Sequence, residues 1–564
     1  MEPFDYVIVG AGAAGCVLAN RLSQNPENRV ALIEAGRDLN SRKAIVRMPL
    51  GMVTFMAPAL AFLGGAKFMQ WFKTEPEPGL DGREMDLPRG RGTGGSTLVN
   101  GQILVRGQRE DFDAWRDMGN SGWGYEDLLP YFRKFERYEP LTAPASDAHL
   151  PANADRAAQP IDPEYHGTTG EIDVANLRNV NPLTRVFLKA AAMAGHTFNS
   201  DVNGAKQKGD GFYAFTQKNG HRVTAESAYI DPIRNRPNLT ILSGRKATRV
   251  IMNDKRATGI EWQDADGKAG KTHGTEIILS AGSFVSPHLL LLSGIGPKAH
   301  IEQHGIAPIH DLPGVGENLQ DHLDVSLEYT AKTTAPDAAS LRALPRNVGH
   351  VLNWLFRKRG LFSSTTAEGG AFLSTTGSDR PDIQLFFCTA LANTQNAKGF
   401  STHGFLMHVC QLRPNSVGSL RLKSANPFDR PEIRYNFFQG KNTPKVLRDG
   451  IRMARDILHQ PPFSAHREIE LAPGVDAQSD DQLDEFIRKT VGTLFHPVGT
   501  CAMGTGPNAV VDPNTLRVHG VSGLRVVDAS IMPAVVSGNT VAATYCLAEK
   551  AADLVLGNAL HGTE

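Results

Sequence analysis

Cysteine is scarce in this 564-residue chain: Cys16, Cys388, Cys410, Cys501 and Cys546 lie far apart and form no CxxC pair. An odd, scattered set builds neither a disulfide framework nor a zinc site, and it suits a reducing compartment. No metal is expected. Neither sign of charge is in excess, since 59 Lys and Arg balance 59 Asp and Glu. Nucleic acid, or an acidic membrane as the main partner, would call for a basic surplus. Internal repeats and low-complexity tracts are lacking, which excludes solenoids and fibrous arrays. No long hydrophobic run is uninterrupted. The nearest, residues 49–66, is uncharged but broken by Gly51, Pro58, Gly64 and Gly65, and it only just reaches the length of a membrane span. It is expected to be a buried segment or an apolar lid over a cofactor, with a weak membrane contact as the alternative. No basic stretch precedes the first apolar strand and no cleavage site follows it, so no secretory leader is read there. A cytoplasmic location, with or without membrane association, is the expectation.

What is present is glycine in organised clusters, within an ordinary globular composition of 41% hydrophobic and 21% charged residues. Tyr6-Val7-Ile8-Val9 reads as a buried parallel strand. Gly10-Ala11-Gly12-Ala13-Ala14-Gly15 follows at once, then a helical stretch from Cys16 to Leu22, then a second strand, Arg29 to Ile33, ending in Glu34. Strand, glycine turn, helix, strand and acid is the order of a dinucleotide-binding unit. Gly10 permits the tight turn, Gly12 lets the backbone approach a pyrophosphate, and Gly15 lets the helix pack close to its strand. The helix N-terminus offers unpaired N–H groups to the phosphates, and Glu34 can accept from a ribose.

A second cluster, Pro88-Arg89-Gly90-Arg91-Gly92-Thr93-Gly94-Gly95-Ser96-Thr97-Leu98-Val99-Asn100-Gly101, lies just after the apolar segment. Such a loop can lie flat against a planar ring system, or it can be a plain glycine-rich turn. Residues 139–166 read as a surface loop leading into a new lobe. Strands recur at 239–242, 247–252 and 276–279. From about 321 to 498, strands such as 383–387 and 404–412 mix with amphipathic helices such as 445–458, the pattern of an α+β lobe with an antiparallel sheet.

With both glycine clusters in view, the chain resembles the glucose–methanol–choline (GMC) oxidoreductases from end to end, and most of all their choline-dehydrogenase-like, FAD-dependent alcohol dehydrogenase branch. The stretches that carry the resemblance are DYVIVGAGAAGCVLANRLS, TEPEPGLDGREMDLPRGRGTGGSTLVNG, AGSFVSPHLLLLSGIGP, DLPGVGENLQDH, FHPVGTCAMG and RVVDASIMPAVVSGNTVAAT. The resemblance implies an α/β, Rossmann-like FAD-binding domain assembled from residues 1–150, 222–320 and 499–564. A substrate-binding lobe would be built from 151–221 and 321–498. Some members attach FAD through a histidine in the second glycine cluster, and here Val99 stands in that place, so a non-covalent flavin is implied. By the same carry-over, Gly94, Gly95, Ser96, Asn100 and Gly101 contact the flavin and the Val250 backbone contacts the adenine. Ala281, Gly282, Asp528 and Ala529 line the cofactor channel, and Asn539 and Thr540 reach the pyrimidine end. Ala13, Ala14, Ala35, Trp71 and Arg89 complete the implied cofactor contacts.

The catalytic candidates are His496, in Leu494-Phe495-His496-Pro497, and Asn539, in Ser537-Gly538-Asn539-Thr540. They match the family's active-site histidine and its polar partner. Oxidising an alcohol removes a hydroxyl proton and a hydride; a neutral imidazole takes the first and flavin N5 the second. Asn539 can hydrogen-bond the substrate oxygen and hold it in place. The electron acceptor is a quinone or other carrier, or oxygen. Glu368 is either a pocket carboxylate for a cationic substrate or a structural one. His519, Cys410 and Cys501 read as structural. A quaternary ammonium calls for an aromatic cage, and only 7% of residues are aromatic, so choline, the named substrate of that branch, is not secured; the apolar 49–66 segment leans toward a medium-chain or otherwise hydrophobic alcohol. Two other readings stand beside this one: a hydroxynitrile-lyase-type reaction with a structural flavin, and a flavoprotein without catalysis.

Overall fold

The computed structural model describes residues 3–51, 65–139, 162–178, 180–338, 340, 343–391, 402–439 and 444–558. The lid expected within 49–66 and the loop expected within 139–166 fall largely outside them.

Two sheets organise the chain. The first joins seven described strands around Phe4–Val9, which pairs in parallel with Val30–Ile33 on one side and Ala269–Leu279 on the other. Leu239–Leu242 extends the parallel part beyond Val30–Ile33, and Leu524–Val526 joins along Ala269–Leu279. The central strands are apolar over both faces, with Val7, Ile8, Leu32, Ile277 and Ile278 buried, as expected of a parallel sheet covered on both sides. Ala269–Leu279 is long enough to serve twice: its C-terminal half lies in the parallel sheet, and its N-terminal half pairs antiparallel with Arg256–Asp264, which pairs in turn with Arg245–Asn253. The helix Ala13–Leu22 packs against the C-terminal helix Thr540–Leu556. Arg21 clamps the two, donating to Glu549 at 2.8 Å and to Glu171 at 2.6 Å.

The second sheet is antiparallel, in the order Arg467–Ala472, Leu323–Ala331, Gly404–Gln411, Ile383–Cys388, Ala367–Leu373, Gly209–Phe212. The helix Lys445–His459 lies on it, and Gly450 makes that contact close: a Cβ there would stand 2.6 Å from a Val409 methyl. This is the α/β unit and the α+β lobe with an antiparallel sheet that the sequence leads one to expect. Among the described residues, no helix is long and apolar enough to cross a membrane.

Candidate active site

The two glycine clusters meet face to face, and Glu34 is the tie. Its carboxylate accepts from the Ala11 N–H (2.9 Å), the Gly36 N–H (2.7 Å) and the Gly92 N–H (3.1 Å). Glycine is compulsory where the backbones touch. Gly10 has φ +99° and a Cβ there would lie 2.5 Å from the Ser280 carbonyl; a Cβ on Gly95 would lie 2.6 Å from Gly12 Cα. Gly15 packs the helix against the turn, its would-be Cβ 1.9 Å from the Gly10 carbonyl.

Between these turns and the antiparallel sheet runs a cavity of about 960 Å³. Of the expected cofactor residues, Gly10, Gly12, Ala13, Ala14, Glu34 and Ala35 line one end of it. Arg89, Gly95, Ser96, Asn100 and Gly101 line the middle, with Ala281, Gly282, Asp528, Ala529, Asn539 and Thr540 around them. Asp528 fixes the Gly282 turn by accepting its N–H at 2.8 Å. Four expected residues are not on the wall. Gly15 and Gly94 act from behind, in packing. Trp71 packs into a small cluster with Val46, Phe68, Met69 and Leu98. Val250 is buried, its N–H already donated to Ser293 Oγ at 2.9 Å. On the same strand Lys246 and Ala247, which precede a register shift between Ala247 and Arg249, line the cavity.

His496 and Asn539 come together at the inner end, Asn539 Nδ2 standing 3.3 Å from His496 Nε2. Each is held by a local departure from routine geometry. Phe495, one residue before His496, has φ +63°, a left-handed conformation that costs a non-glycine residue about 1–2 kcal/mol. It persists because Arg89 donates to the Phe495 carbonyl at 2.5 Å and the His496 N–H donates to buried Asp321 at 2.8 Å. Asn539 is the N-cap of the helix Thr540–Leu556, yet it makes no capping hydrogen bond. Its side chain forgoes that stabilisation and turns to His496. Asp111 secures the preceding turn by accepting the Ser537 N–H (2.6 Å) and hydroxyl (2.8 Å).

His322, buried behind His496, sets the proton's place. Its Nε2 lies 3.0 Å from the Val536 carbonyl, and its Nδ1 lies 2.9 Å from His496 Nδ1. A carbonyl only accepts, so His322 carries its hydrogen on Nε2 and leaves Nδ1 bare. His496 must then donate from Nδ1, and its Nε2 lone pair is left facing Asn539 and the cavity. Charge is kept off both rings: burial pushes His322 down to about 4, and burial, His322 and Arg89 push His496 well below its ordinary value. Asp321, beneath them, is pushed up to about 6 by burial, which Arg89 partly opposes.

A second polar pair faces the cavity from neighbouring strands. His408 Nδ1 lies 2.7 Å from Asp324 Oδ2. Burial alone would lower His408; the Asp324 charge and hydrogen bond reverse this and hold it well above its ordinary value. The pair shares one proton and carries no net charge. Phe386 and Cys388 stand beside His408, and Thr365, Thr366 and Leu494 line the same cavity. Glu368 does not reach the cavity. It accepts from the Asn181 N–H, Thr184 Oγ and Ser364 Oγ, which makes it the structural carboxylate of its two readings. His519 faces the Gly504 carbonyl away from the site, and Cys410 and Cys501 are buried. Asp321, His322, Asp324 and His408 were not singled out by the sequence. The Asp-His pair closing DLPGVGENLQDH was the only local signal for the first two.

The chain matches the two family models described as GMC oxidoreductase, over residues 4–324 and 414–548. The chain belongs to the GMC oxidoreductase family. It is similar to an alcohol dehydrogenase [acceptor] of Pseudomonas putida, 39% identical with 98% of this chain and 96% of the relative covered. It is similar to an oxygen-dependent choline dehydrogenase of Escherichia coli K12, 38% identical over 98% of this chain and 96% of that one. Among solved structures it resembles pyridoxine 4-oxidase from Mesorbium loti, with TM-score 0.83, 30% identity, and 98% and 99% of the two chains covered. Formate oxidase from Aspergillus oryzae RIB40 gives TM-score 0.86, 27% identity, and 99% and 98% covered.

GMC oxidoreductases bind FAD, and the cavity fits that cofactor. Arg89 Nε and Nη2 are buried without partners on its wall, as is Asn539 Oδ1, and a buried unpaired polar group is costly unless a ligand meets it. Gly101 and Gly282 face it with no atom within 4 Å of a would-be Cβ. Both leave room for a large planar group. The residues that would hold it are the turn Gly10–Ala14, Glu34, Arg89, Gly95-Ser96, Asn100-Gly101, Ala281-Gly282 and Thr540.

Proposed function

We propose that this GMC oxidoreductase oxidises an uncharged primary alcohol to its aldehyde, with His496 as base and with FAD held without a covalent bond. The observation that carries the reading is the His322–His496–Asn539 line, which presents a neutral imidazole with its lone pair directed into the cavity. When bound, FAD supplies the hydride acceptor. The chain's residues do the rest. Asn539 Nδ2 donates to the substrate oxygen and fixes its distance from His496. His496 Nε2 takes the hydroxyl proton, and the resulting charge is stabilised through Nδ1–H by His322. The environment that keeps His496 uncharged at rest makes it available as a base at neutral pH.

The cavity chemistry supports an uncharged substrate. Asp324 is neutralised by His408 and Glu368 is not on the cavity wall; among the described residues, Phe386 beside His408 and Phe495 next to His496 are the aromatic lining residues adjoining these two histidines, fewer than an ammonium cage calls for. Val99 at the place of the linking histidine supports a dissociable flavin. The names of the Pseudomonas and Escherichia relatives support re-oxidation by a carrier or by oxygen.

The test is anaerobic. Purified holo-protein is mixed with choline, with short and medium primary alcohols and with an aryl alcohol, and the flavin's visible absorbance is followed. Bleaching by an uncharged alcohol with aldehyde released is the expected result, and readmitting air then separates oxidase from dehydrogenase. Bleaching by choline alone would overturn the substrate class. No bleaching, with substrate nonetheless cleaved or condensed, would indicate a lyase.

A further inference from the structure

The helix Leu344–Arg357 is built inside out. Polar side chains hold it to the body: Asn347 Nδ2 donates to the Ala338 carbonyl (2.8 Å), Trp354 Nε1 to the Gly220 carbonyl (3.3 Å), and the Leu361 N–H to His350 Nδ1 (3.4 Å). Its apolar side chains turn outward. Val348, Leu352 and Leu355 are each 50% exposed, Val351 39% and Phe356 82%. Positions 348, 351, 352, 355 and 356 fall on one face of a helix and form a continuous stripe. A surface helix of a globular protein normally presents the opposite arrangement, and a contiguous exposed apolar stripe marks an interaction surface.

The two stretches beside this stripe carry charge of one sign; the carboxylate that meets the helix, Asp337, is buried and lies 4.0 Å from Arg346. Residues 39–51 and 343–363 contain seven Lys and Arg and no Asp or Glu, in a chain whose overall charge is zero. The fold brings the two stretches together, since Leu361–Ser363 packs against Pro49–Gly51. Arg47 and Lys358 converge on His221, and after burial they are the next causes that hold its imidazole down to about 4. Arg357 and Arg359 are exposed at the end of the helix. An apolar face beside a basic rim is the pattern of a helix that lies in a membrane interface. A symmetric pairing with a second copy would set the two basic rims against each other, so charge disfavours that occupant.

We propose that the helix Leu344–Arg357 docks on an anionic lipid bilayer, with Val348, Val351, Leu352, Leu355 and Phe356 at the headgroup–acyl boundary and Arg47, Arg357, Lys358 and Arg359 against the lipid phosphates. This surface is separate from the cavity and does not rest on the substrate reading. The experiment is co-sedimentation of the full-length holo-protein with vesicles of phosphatidylglycerol and phosphatidylcholine, and with vesicles of phosphatidylcholine alone. Wild-type protein pellets with the anionic vesicles, and added salt weakens that binding. Leu352→Glu with Phe356→Glu lowers the partition by about tenfold or more. Arg357→Gln with Arg359→Gln lowers it toward the phosphatidylcholine level. Flavin content and turnover with a water-soluble dye stay at wild-type values in both variants, because all four residues are exposed and none lines the cavity. The proposal is overturned if wild-type protein does not pellet, or if the Leu352/Phe356 variant pellets as well as wild type. It is also overturned if that variant instead splits a dimer seen by sedimentation velocity.

Discussion

Replacing His322 tests whether a residue that never touches the substrate sets the state of the base. In His322→Ala the His496 Nδ1–H loses its acceptor in a buried position, and an unsatisfied buried donor costs about 1–3 kcal/mol. His496 escapes that cost by moving its hydrogen to Nε2, the nitrogen that faces the cavity. At about 1.4 kcal/mol per decade, the base-ready tautomer is depleted by about 5- to 150-fold. The assay is anaerobic rapid mixing with a saturating alcohol, reading the rate of flavin bleaching at matched flavin content. The rate should fall within that range while the substrate concentration for half-maximal rate changes little. His322→Gln supplies the control: its amide can donate to the Val536 carbonyl and accept from His496 Nδ1–H, so it should recover most of the lost rate. Rates within twofold of wild type in His322→Ala, or equal losses in Ala and Gln, would refute the tautomer argument.

Other expectations concern the same site. Because His496 sits well below its ordinary pKa, the bleaching rate should stay flat from high pH down to about 6.5 and fall only below it; a rise continuing through pH 7–8 would contradict this. For stability the sign is worked from His322, whose folded value is about 4 against about 6.5 unfolded. The unfolded chain binds a proton the folded one does not between these values, so up to about 3 kcal/mol present above pH 6.5 is lost as pH falls toward 4. The melting temperature of wild type should therefore drop more steeply than that of His322→Gln between pH 7 and 5. Acid or heat denaturation followed by filtration should release the flavin into the filtrate; colour retained on the chain would show a covalent link. Gly95→Val should purify with little flavin, since its Cβ would strike Gly12 Cα at 2.6 Å and force the two turns apart. His408→Asn leaves Asp324 without its proton partner, and kcat/KM for choline relative to an uncharged alcohol should rise by about tenfold or more.

Much of the first sheet was legible because its strands are short, apolar and punctuated by glycine. The expected strand 239–242 coincides with Leu239–Leu242, and in the second sheet the expected 404–412 matches Gly404–Gln411 to within one residue. The strand expected at 276–279 is the end of a longer one, Ala269–Leu279, whose first half alternates buried and exposed residues and carries Lys271 and His273; polarity hid it from a search for apolar runs. The Val250 contact came from the family resemblance alone; the strand residues that line the cavity, Lys246 and Ala247, carry no signal in the sequence that marks them. His322 and His496 are 174 residues apart, and Asp324 and His408 are joined only by the pairing of Leu323–Ala331 with Gly404–Gln411, so no spacing along the chain could announce either contact. The overall charge balance likewise conceals a local basic surface that exists only once residues 39–51 and 343–363 are brought side by side.

The most direct test of the central claim is the single-turnover bleaching rate of His496→Ala against wild type, with an uncharged primary alcohol and equal flavin occupancy. If His496 is the base, the rate falls about 10²- to 10⁴-fold while the bound flavin's spectrum is unchanged. A rate within a factor of a few of wild type would contradict the account and move the proton to another acceptor.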